Sequence, residues 1–269
     1  MTPPEEGADS TLLIDHRDHV RTLTLNRPRA RNAVNRELAR ALGRALEECE
    51  HDDDVRVVVI TGAGDVSFCA GADLKEASSD PRALRDELDS PWGFAGMTDH
   101  PISKPVIAAV NGLALGGGTE IVLAADLAIA VDDALLGLPE VAHGIFAGGG
   151  GVHRLPRQIP PKIALEAILT ARPITARRAF ELGLINAVVP RDDLAEEVLR
   201  MARTIASNAP LAVQASKRMA LGIVDGALAD EASRRDLARS EGARLLATSD
   251  AHEGLVAFAE KRAPLWDGR

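Results

Sequence analysis

The sequence predicts an α/β body followed by a mostly helical tail, and three observations carry that expectation. Branched, mostly apolar runs at Val55–Thr61, Pro105–Val110 and Leu127–Val131 have the character of strands buried on both faces. Glycine-rich turns at Gly62–Gly64, Gly116–Gly118 and Gly148–Gly151 punctuate the same stretch. From Pro160 onward the runs give way to helical apolar stripes. The body is expected over residues 1–195 and a helical region over 196–269, with a soft boundary.

In chain order, Thr11–Asp15 and Val20–Leu25 alternate like strands, with a hairpin turn expected at His16–Asp18. Asn35–Glu48 carries Leu38, Leu42 and Leu46 at i+4 spacing with charges opposite, which predicts an amphipathic helix. Val55–Thr61, Pro105–Val110 and Leu127–Val131 supply the buried strands, and Gly116–Ala125 a helix opened by three glycines. Helices follow at Pro161–Thr170, Ala176–Leu182, Leu194–Asn208, Pro210–Ile223, Ala227–Ala247 and Ala251–Lys261. The polar segment Glu76–Met97, broken by Pro81 and Pro91, fits no element and has the character of a functional loop.

Composition narrows the function classes. A chain of 269 residues, 46% hydrophobic and 26% charged, is long enough to bury a sizeable core. Aromatics are 3% with no Tyr, so that core must be aliphatic. A net charge of −9 argues against nucleic acid as the main partner, because binding it needs a basic face. Cys49 and Cys69 are the only cysteines, too few for a disulfide framework or a thiolate zinc site. Met1 to Ser10 lacks the basic-then-apolar pattern of a secretory signal, and no run of about 18 apolar residues occurs. A cytoplasmic protein is expected, without a membrane or nucleic-acid partner. The seven histidines are dispersed and no metal site is expected.

Three glycine clusters are candidates for chemistry. Ser67–Leu74 allows close backbone approach to a ligand, or simply makes a tight turn. Gly116-Gly117-Gly118 opens a helix with unpaired N–H groups and the positive end of its dipole, suited to an anion or a polarised carbonyl. Three glycines there cost roughly 1 kcal/mol each against Ala, which a purely structural turn would seldom require. Gly148–Gly151 precedes a short helix and serves packing, anion binding, or both. Other motifs fail: Ser67 stands where a dinucleotide fingerprint needs its third glycine, and neither a P-loop nor a Gly-x-Ser-x-Gly elbow occurs.

Five ordered motifs resemble the crotonase superfamily, the enoyl-CoA hydratase/isomerase family. They are Leu25-Asn26-Arg27-Pro28 with Arg31-Asn32-Ala33; Phe68-Cys69-Ala70-Gly71-Ala72-Asp73-Leu74; Lys104–Gly112 with Ala114–Gly118; Gly137-Leu138-Pro139-Glu140; and Glu253-Gly254 with Ala257–Pro264. The resemblance runs from about Leu12 to Pro264. It implies a crotonase-like fold of repeated strand–strand–helix units with a helical C-terminal trimerisation region, assembled as a homotrimer or a dimer of trimers.

The same resemblance implies roles. The amides of Ala72 and Gly117 match the oxyanion hole that holds the thioester carbonyl oxygen. Preorganised donors of that kind are worth about 2.7–4 kcal/mol each. Glu120 and Glu140 match the paired catalytic carboxylates of the hydratase branch, with Glu120 as base toward water and Glu140 delivering a proton to Cα. Two carboxylates in one apolar cleft should titrate as a unit with one pKa raised, giving one acid and one base near neutral pH. Arg29 and Ala30, Ala70, Gly71, Asp73, Leu74 and Lys75, and Lys261 correspond to substrate contacts. Arg29 and Lys261 serve equally well as parts of a solvated basic face. Trp92, Phe94 and Phe146 are the expected acyl-chain contacts. The partner implied is an acyl-CoA thioester, with no cofactor beyond the coenzyme A of the substrate.

Hydration of a 2-enoyl-CoA is therefore the expected reaction. The competing expectations are an enoyl-CoA isomerase, a carnitinyl-CoA dehydratase-like enzyme and a non-catalytic acyl-CoA-binding protein.

Overall fold

A computed structural model describes residues 10–79, 90–229 and 231–269. The first strands, β1 (Leu12–Arg17) and β2 (Val20–Leu25), form an antiparallel hairpin. Its turn is Asp18-His19, not His16–Asp18: Arg17 pairs with Val20, and both turn residues have positive φ (52° and 65°). A two-residue loop of that handedness follows the natural twist of the strands, and the strand extends up to it.

Helix α1 (Arg36–His51) is capped by the Asn35 side chain, which accepts the Leu38 amide at 3.0 Å. Its stripe of Leu38, Leu42 and Leu46 is fully buried, as the spacing predicts. β3 (Val57–Gly62), β5 (Val106–Val110), β7 (Leu127–Val131) and β10 (Ala187–Val189) complete a six-stranded sheet ordered β1-β2-β3-β5-β7-β10. All its pairings except β1–β2 are parallel. Val57, Val58, Val59 and Ile60 are all buried, so both faces of the sheet are covered.

A second, four-stranded sheet is ordered β4-β6-β8-β9, from β4 (Ser67–Cys69), β6 (Leu113–Leu115), β8 (Leu135–Gly137) and β9 (Ile174–Thr175). The chain thus repeats one unit: a large-sheet strand, a small-sheet strand, then a helical turn. The units are β3–β4 with α2 (Leu74–Ser79), β5–β6 with α3 (Gly117–Ala124), and β7–β8 with a 3-10 turn at Glu140–His143.

Next come α4 (Gly151–Gln158), α5 (Pro161–Thr170), α6 (Ala176–Glu181) and α7 (Leu194–Ala206). α7 packs on β3, β5 and β7 and places Val198, Ala202 and Ala206 in the main core. The helices beyond it behave differently. α8 (Pro210–Leu221) buries no residue and is tied to the body by Lys217, whose Nζ lies 2.7 Å from Asp126 Oδ2 and donates to Lys104 O at 2.9 Å.

The helix expected over Ala227–Ala247 begins later. Ile223–Val224 and Ala227–Leu228 form a small hairpin, β11 and β12, turning at Asp225-Gly226 with positive φ. α9 follows at Ala232–Leu245 and α10 at Ser249–Glu260. α10 packs against α2 and the 3-10 turn of its own chain. The contact needs two glycines, because a Cβ on Gly254 would collide with His143 O, and one on Gly144 with Asp250 O. Among the described residues, no helix is long and apolar enough to cross a membrane.

Candidate active site

The repeated unit puts three chemically loaded positions at the same place in successive turns of the chain. Ala72 comes three residues after β4, Gly117 two after β6 and Glu140 three after β8. The short strands therefore act as a rack that aligns their trailing backbone.

The first position is set by a parallel bridge between Ala72 and Val34. Val34 donates to Gly71 O at 2.8 Å and Asp73 donates to Val34 O at 2.8 Å. In such a bridge the middle residue turns its own amide away, so the Ala72 N–H faces the opposite side. Asp73 is fixed in turn by Arg27, which bridges the Asp73 carboxylate (2.8 Å) and Ala33 O (2.5 Å). Gly71 sits at φ +89°, and a Cβ there would stand 3.1 Å from the Gly117 nitrogen. Only glycine lets these two backbones approach.

The second position opens α3. Gly116, at φ +57°, is its N-cap, which leaves the Gly117 amide at the first helical position without an intrahelical acceptor. Among the described residues, neither the Ala72 nor the Gly117 amide donates to a protein acceptor. Two neighbouring N–H groups, one backed by a helix dipole, can polarise a carbonyl oxygen.

Glu120 lies one turn into α3, is 3% exposed and accepts the Gly151 amide on Oε1 at 2.9 Å. A Cβ on Gly149 would stand 2.6 Å from the other Glu120 oxygen, so the backbone there passes close to the carboxylate. The third glycine cluster thus serves both packing and anion binding, and the anion is a carboxylate of the chain itself. Burial pushes the Glu120 carboxyl up to about 7, against the amides of Gly151 and Gly149 and the cation of Arg154, which pull it down.

Glu140 starts the 3-10 turn after β8, and its Oε1 lies beside the Gly116 Cα. Its Oε2 is buried and makes no hydrogen bond among the described residues. Burial, reinforced by the negative charge of Glu120, pushes this carboxyl up to about 8. Thr119 holds the two carboxylate-bearing elements together. Its hydroxyl lies 2.6 Å from Ala114 O and 2.9 Å from Gly137 O, and accepts the Gly137 amide at 2.9 Å.

The other predicted site residues fall into two groups. Ala70 donates to Arg31 O at 3.0 Å, which brings the 3-10 turn Pro28–Ala30 alongside Ala70, Gly71, Ala72 and Asp73. Leu74 and Lys75 open α2 directly behind them, with Asp73 Oδ1 accepting the Lys75 amide at 3.1 Å. Arg29 and Lys75 are exposed. The Phe94 ring covers Gly117, leaving no room there for a Cβ, and its own Cβ adjoins Gly149.

Trp92 lies elsewhere: its ring packs on Gly43 of α1 and stacks on His100 at a centroid distance of 5.1 Å. His100 in turn meets Glu47 of α1 at 2.7 Å, so the pair pins the segment to α1. Phe146 faces Gly242 of α9, and Lys261 is exposed at the C-cap of α10 with φ +55°. Part of the loop expected over Glu76–Met97, residues 80–89, lies outside the described residues.

Sequence reasoning missed Thr119 and Glu231, and it read Arg154 only within the run Arg154-Leu155-Pro156-Arg157, which resembles carnitinyl-CoA dehydratases, without placing it at the site. The guanidinium of Arg154 is buried beside Gly149, and nothing in its local spacing distinguishes it from a surface arginine on a short helix.

The family model described as enoyl-CoA hydratase/isomerase matches residues 15–269. An enoyl-CoA hydratase of Mycobacterium tuberculosis, EchA19, is 39% identical over 272 residues, covering 100% of both chains. A carnitinyl-CoA dehydratase of Salmonella typhi is 40% identical over 250 residues, 92% of this chain and 94% of its own. The crystal structure of a carnitinyl-CoA hydratase from Mycobacterium avium superposes with a TM-score of 0.92 at 51% identity, over 97% of this chain and 99% of that one. Fold, order of motifs and these matches agree: the chain belongs to the enoyl-CoA hydratase/isomerase family.

Proposed function

We propose that the chain is an enoyl-CoA hydratase that adds water reversibly across a 2-enoyl-CoA to give a 3-hydroxyacyl-CoA. The observation that carries this reading is the placement of two buried carboxylates, Glu120 and Glu140, beside the unpaired amides of Ala72 and Gly117. The thioester oxygen sits between the two amides and takes up negative charge as the enolate forms. The two buried carboxyls titrate as a pair, one ionised while the other holds a proton, and Glu120 is the base that takes a proton from water as the water oxygen bonds to Cβ. Glu140 is protonated at the same pH and gives its proton to Cα. Atoms and charge balance: one proton enters the pair and one leaves it, and dehydration is the same path reversed.

Coenzyme A enters as part of the substrate, with no separate cofactor. Arg29 at the turn beside Ala70 and Lys261 at the end of α10 provide cations for its phosphates. Phe94 bounds the acyl end beside Glu120, as its contacts with Gly117 and Gly149 support. Relatives named for carnitinyl-CoA favour a functionalised short acyl group as one substrate class, processed by the same hydration chemistry.

Self-association into a trimer, or a dimer of trimers, is supported by the last helices. Leu211, Met219 and Leu237 are 76%, 83% and 61% exposed on helices that bury almost nothing. The test is product analysis by mass spectrometry in heavy-oxygen water with short, medium and carnitine-type enoyl-CoA. The hydratase reading predicts one labelled oxygen at Cβ. A double-bond shift without label would replace it with isomerisation.

A further inference from the structure

The catalytic carboxylate Glu120 is held by a loop that is itself held from the C-terminal region. Arg154 of α4 and Glu231, just before α9, are 4% and 6% exposed and form a buried two-pronged ion pair. Arg154 Nε meets Glu231 Oε1 at 3.2 Å and Nη2 meets Oε2 at 2.5 Å. The same guanidinium donates through Nη1 to Gly149 O at 3.3 Å and through Nη2 to Thr98 O at 2.6 Å. One planar group thereby ties the Gly149–Gly151 loop, the segment before β5 and the C-terminal region into a single knot. Gly151 of that loop donates to Glu120 Oε1 at 2.9 Å. Gly150, at φ +114°, leaves no room for a Cβ beside Arg154 Nη1.

We infer that Arg154, clamped by Glu231, is a positioning residue that sets the orientation and proton affinity of Glu120. The inference rests on the hydratase reading and adds a control element to the same site. The charges facing Glu120 are Glu140 from the 3-10 turn, Arg154 from α4 and Asp99 from the segment before β5. Around Arg154 stand Glu231, His153 (3.7 Å from Glu231), Arg157 (3.9 Å from Glu231), and Asp99 (3.7 Å), which Arg235 engages at 2.9 Å. Burial raises the Glu231 carboxyl, but His153 and Arg154 outweigh it and hold it at about 2, so it is ionised wherever the enzyme works.

The sign of the coupling gives a test that a structural ion pair would fail. Glu231→Gln removes the anion that offsets Arg154, so Glu120 feels more positive charge and titrates at lower pH. Arg154→Met removes the cation, leaves Glu231 uncompensated, and moves Glu120 to higher pH. Arg154→Lys keeps the charge but cannot reach all the acceptors, so it lowers kcat with a smaller shift.

The experiment is the pH profile of kcat for these variants, with Glu120 titrated separately by carboxyl infrared difference spectra against Glu120→Gln. The expected result is opposite displacement of the acidic limb in Glu231→Gln and Arg154→Met. In both, kcat falls about tenfold or more and KM stays within about twofold. Where Arg154→Met does not fold, the downward shift in Glu231→Gln decides. Unmoved limbs, or a shift of Glu231→Gln to higher pH, overturn the inference. The infrared titration separates the two readings, since it moves as stated even if no enoyl-CoA is hydrated.

Discussion

Glu120 leaves no room for a side chain on Gly149: a Cβ built there stands 2.6 Å from Glu120 Oε2. The glycine is required by its neighbour's carboxylate, and one methyl group tests that requirement. Gly149→Ala should turn Glu120 out of line and lower kcat by about 10²-fold, the cost of an ångström-scale misplacement. The same methyl would stand 2.7 Å from the Phe94 Cβ, so a rise in KM for a short enoyl-CoA should accompany the fall in kcat. Steady-state kinetics check it, and a near-normal kcat would show that the carboxylate tolerates displacement.

The proton inventory predicts a narrow pH optimum. The carboxyls of Glu120 and Glu140 are both raised by burial and titrate as a pair, so the window in which one is ionised and the other protonated lies well above the ordinary carboxylate range. Below that window both hold protons and no base remains. Above it both are ionised and no acid remains. The kcat profile should be a bell whose acidic limb lies well above the ordinary carboxylate range, and a flat profile from pH 5 to 9 would contradict the pairing.

The same shifts make a stability prediction. A carboxyl raised in the folded state favours folding below its unfolded pKa and loses that contribution as pH rises through the folded value. For Glu140 the window runs from the ordinary carboxylate value of 4.5 to about 8. Glu140→Gln, which does not titrate, should therefore melt above wild type at pH 8, with the gain vanishing near pH 4.5. Melting curves at the two pH values read it directly. A variant less stable at pH 8 would remove the buried-charge account.

Thr119 should couple fold and site. Thr119→Val keeps the shape but orphans the Gly137 amide it now accepts, at a cost of about 1–3 kcal/mol. Because Gly137 precedes Pro139-Glu140, kcat should fall together with the melting temperature. A fall in one without the other would show that β8 does not aim Glu140.

Legibility in the sequence followed the range of the forces involved. α1 was readable because Leu38, Leu42 and Leu46 recur at the helical period, and β3, β5 and β7 because both faces are buried. β4, β6 and β8 have three residues each, too few for any period to show, so the second strand of each unit was visible only through family resemblance. The glycine clusters marked the site, yet not why each glycine is needed. Gly71 lets two amides meet, whereas Gly149 and Gly151 serve Glu120 across a separation of about 30 residues.

Some residues were beyond local reading altogether. Arg154 and Glu231 meet across 77 positions, and no local pattern pairs them. Among the aromatics, composition could not separate Phe94, which reaches the site, from Trp92, which pins its segment to α1.

The most direct test of the paired-carboxylate account is the loss of enoyl-thioester absorbance under saturating crotonyl-CoA for wild type, Glu120→Gln and Glu140→Gln, with thioester binding measured in parallel. The account predicts turnover by wild type and a loss of at least about 10²-fold in each variant with binding retained. A near-wild-type rate in either variant, or binding without turnover in wild type, would contradict it.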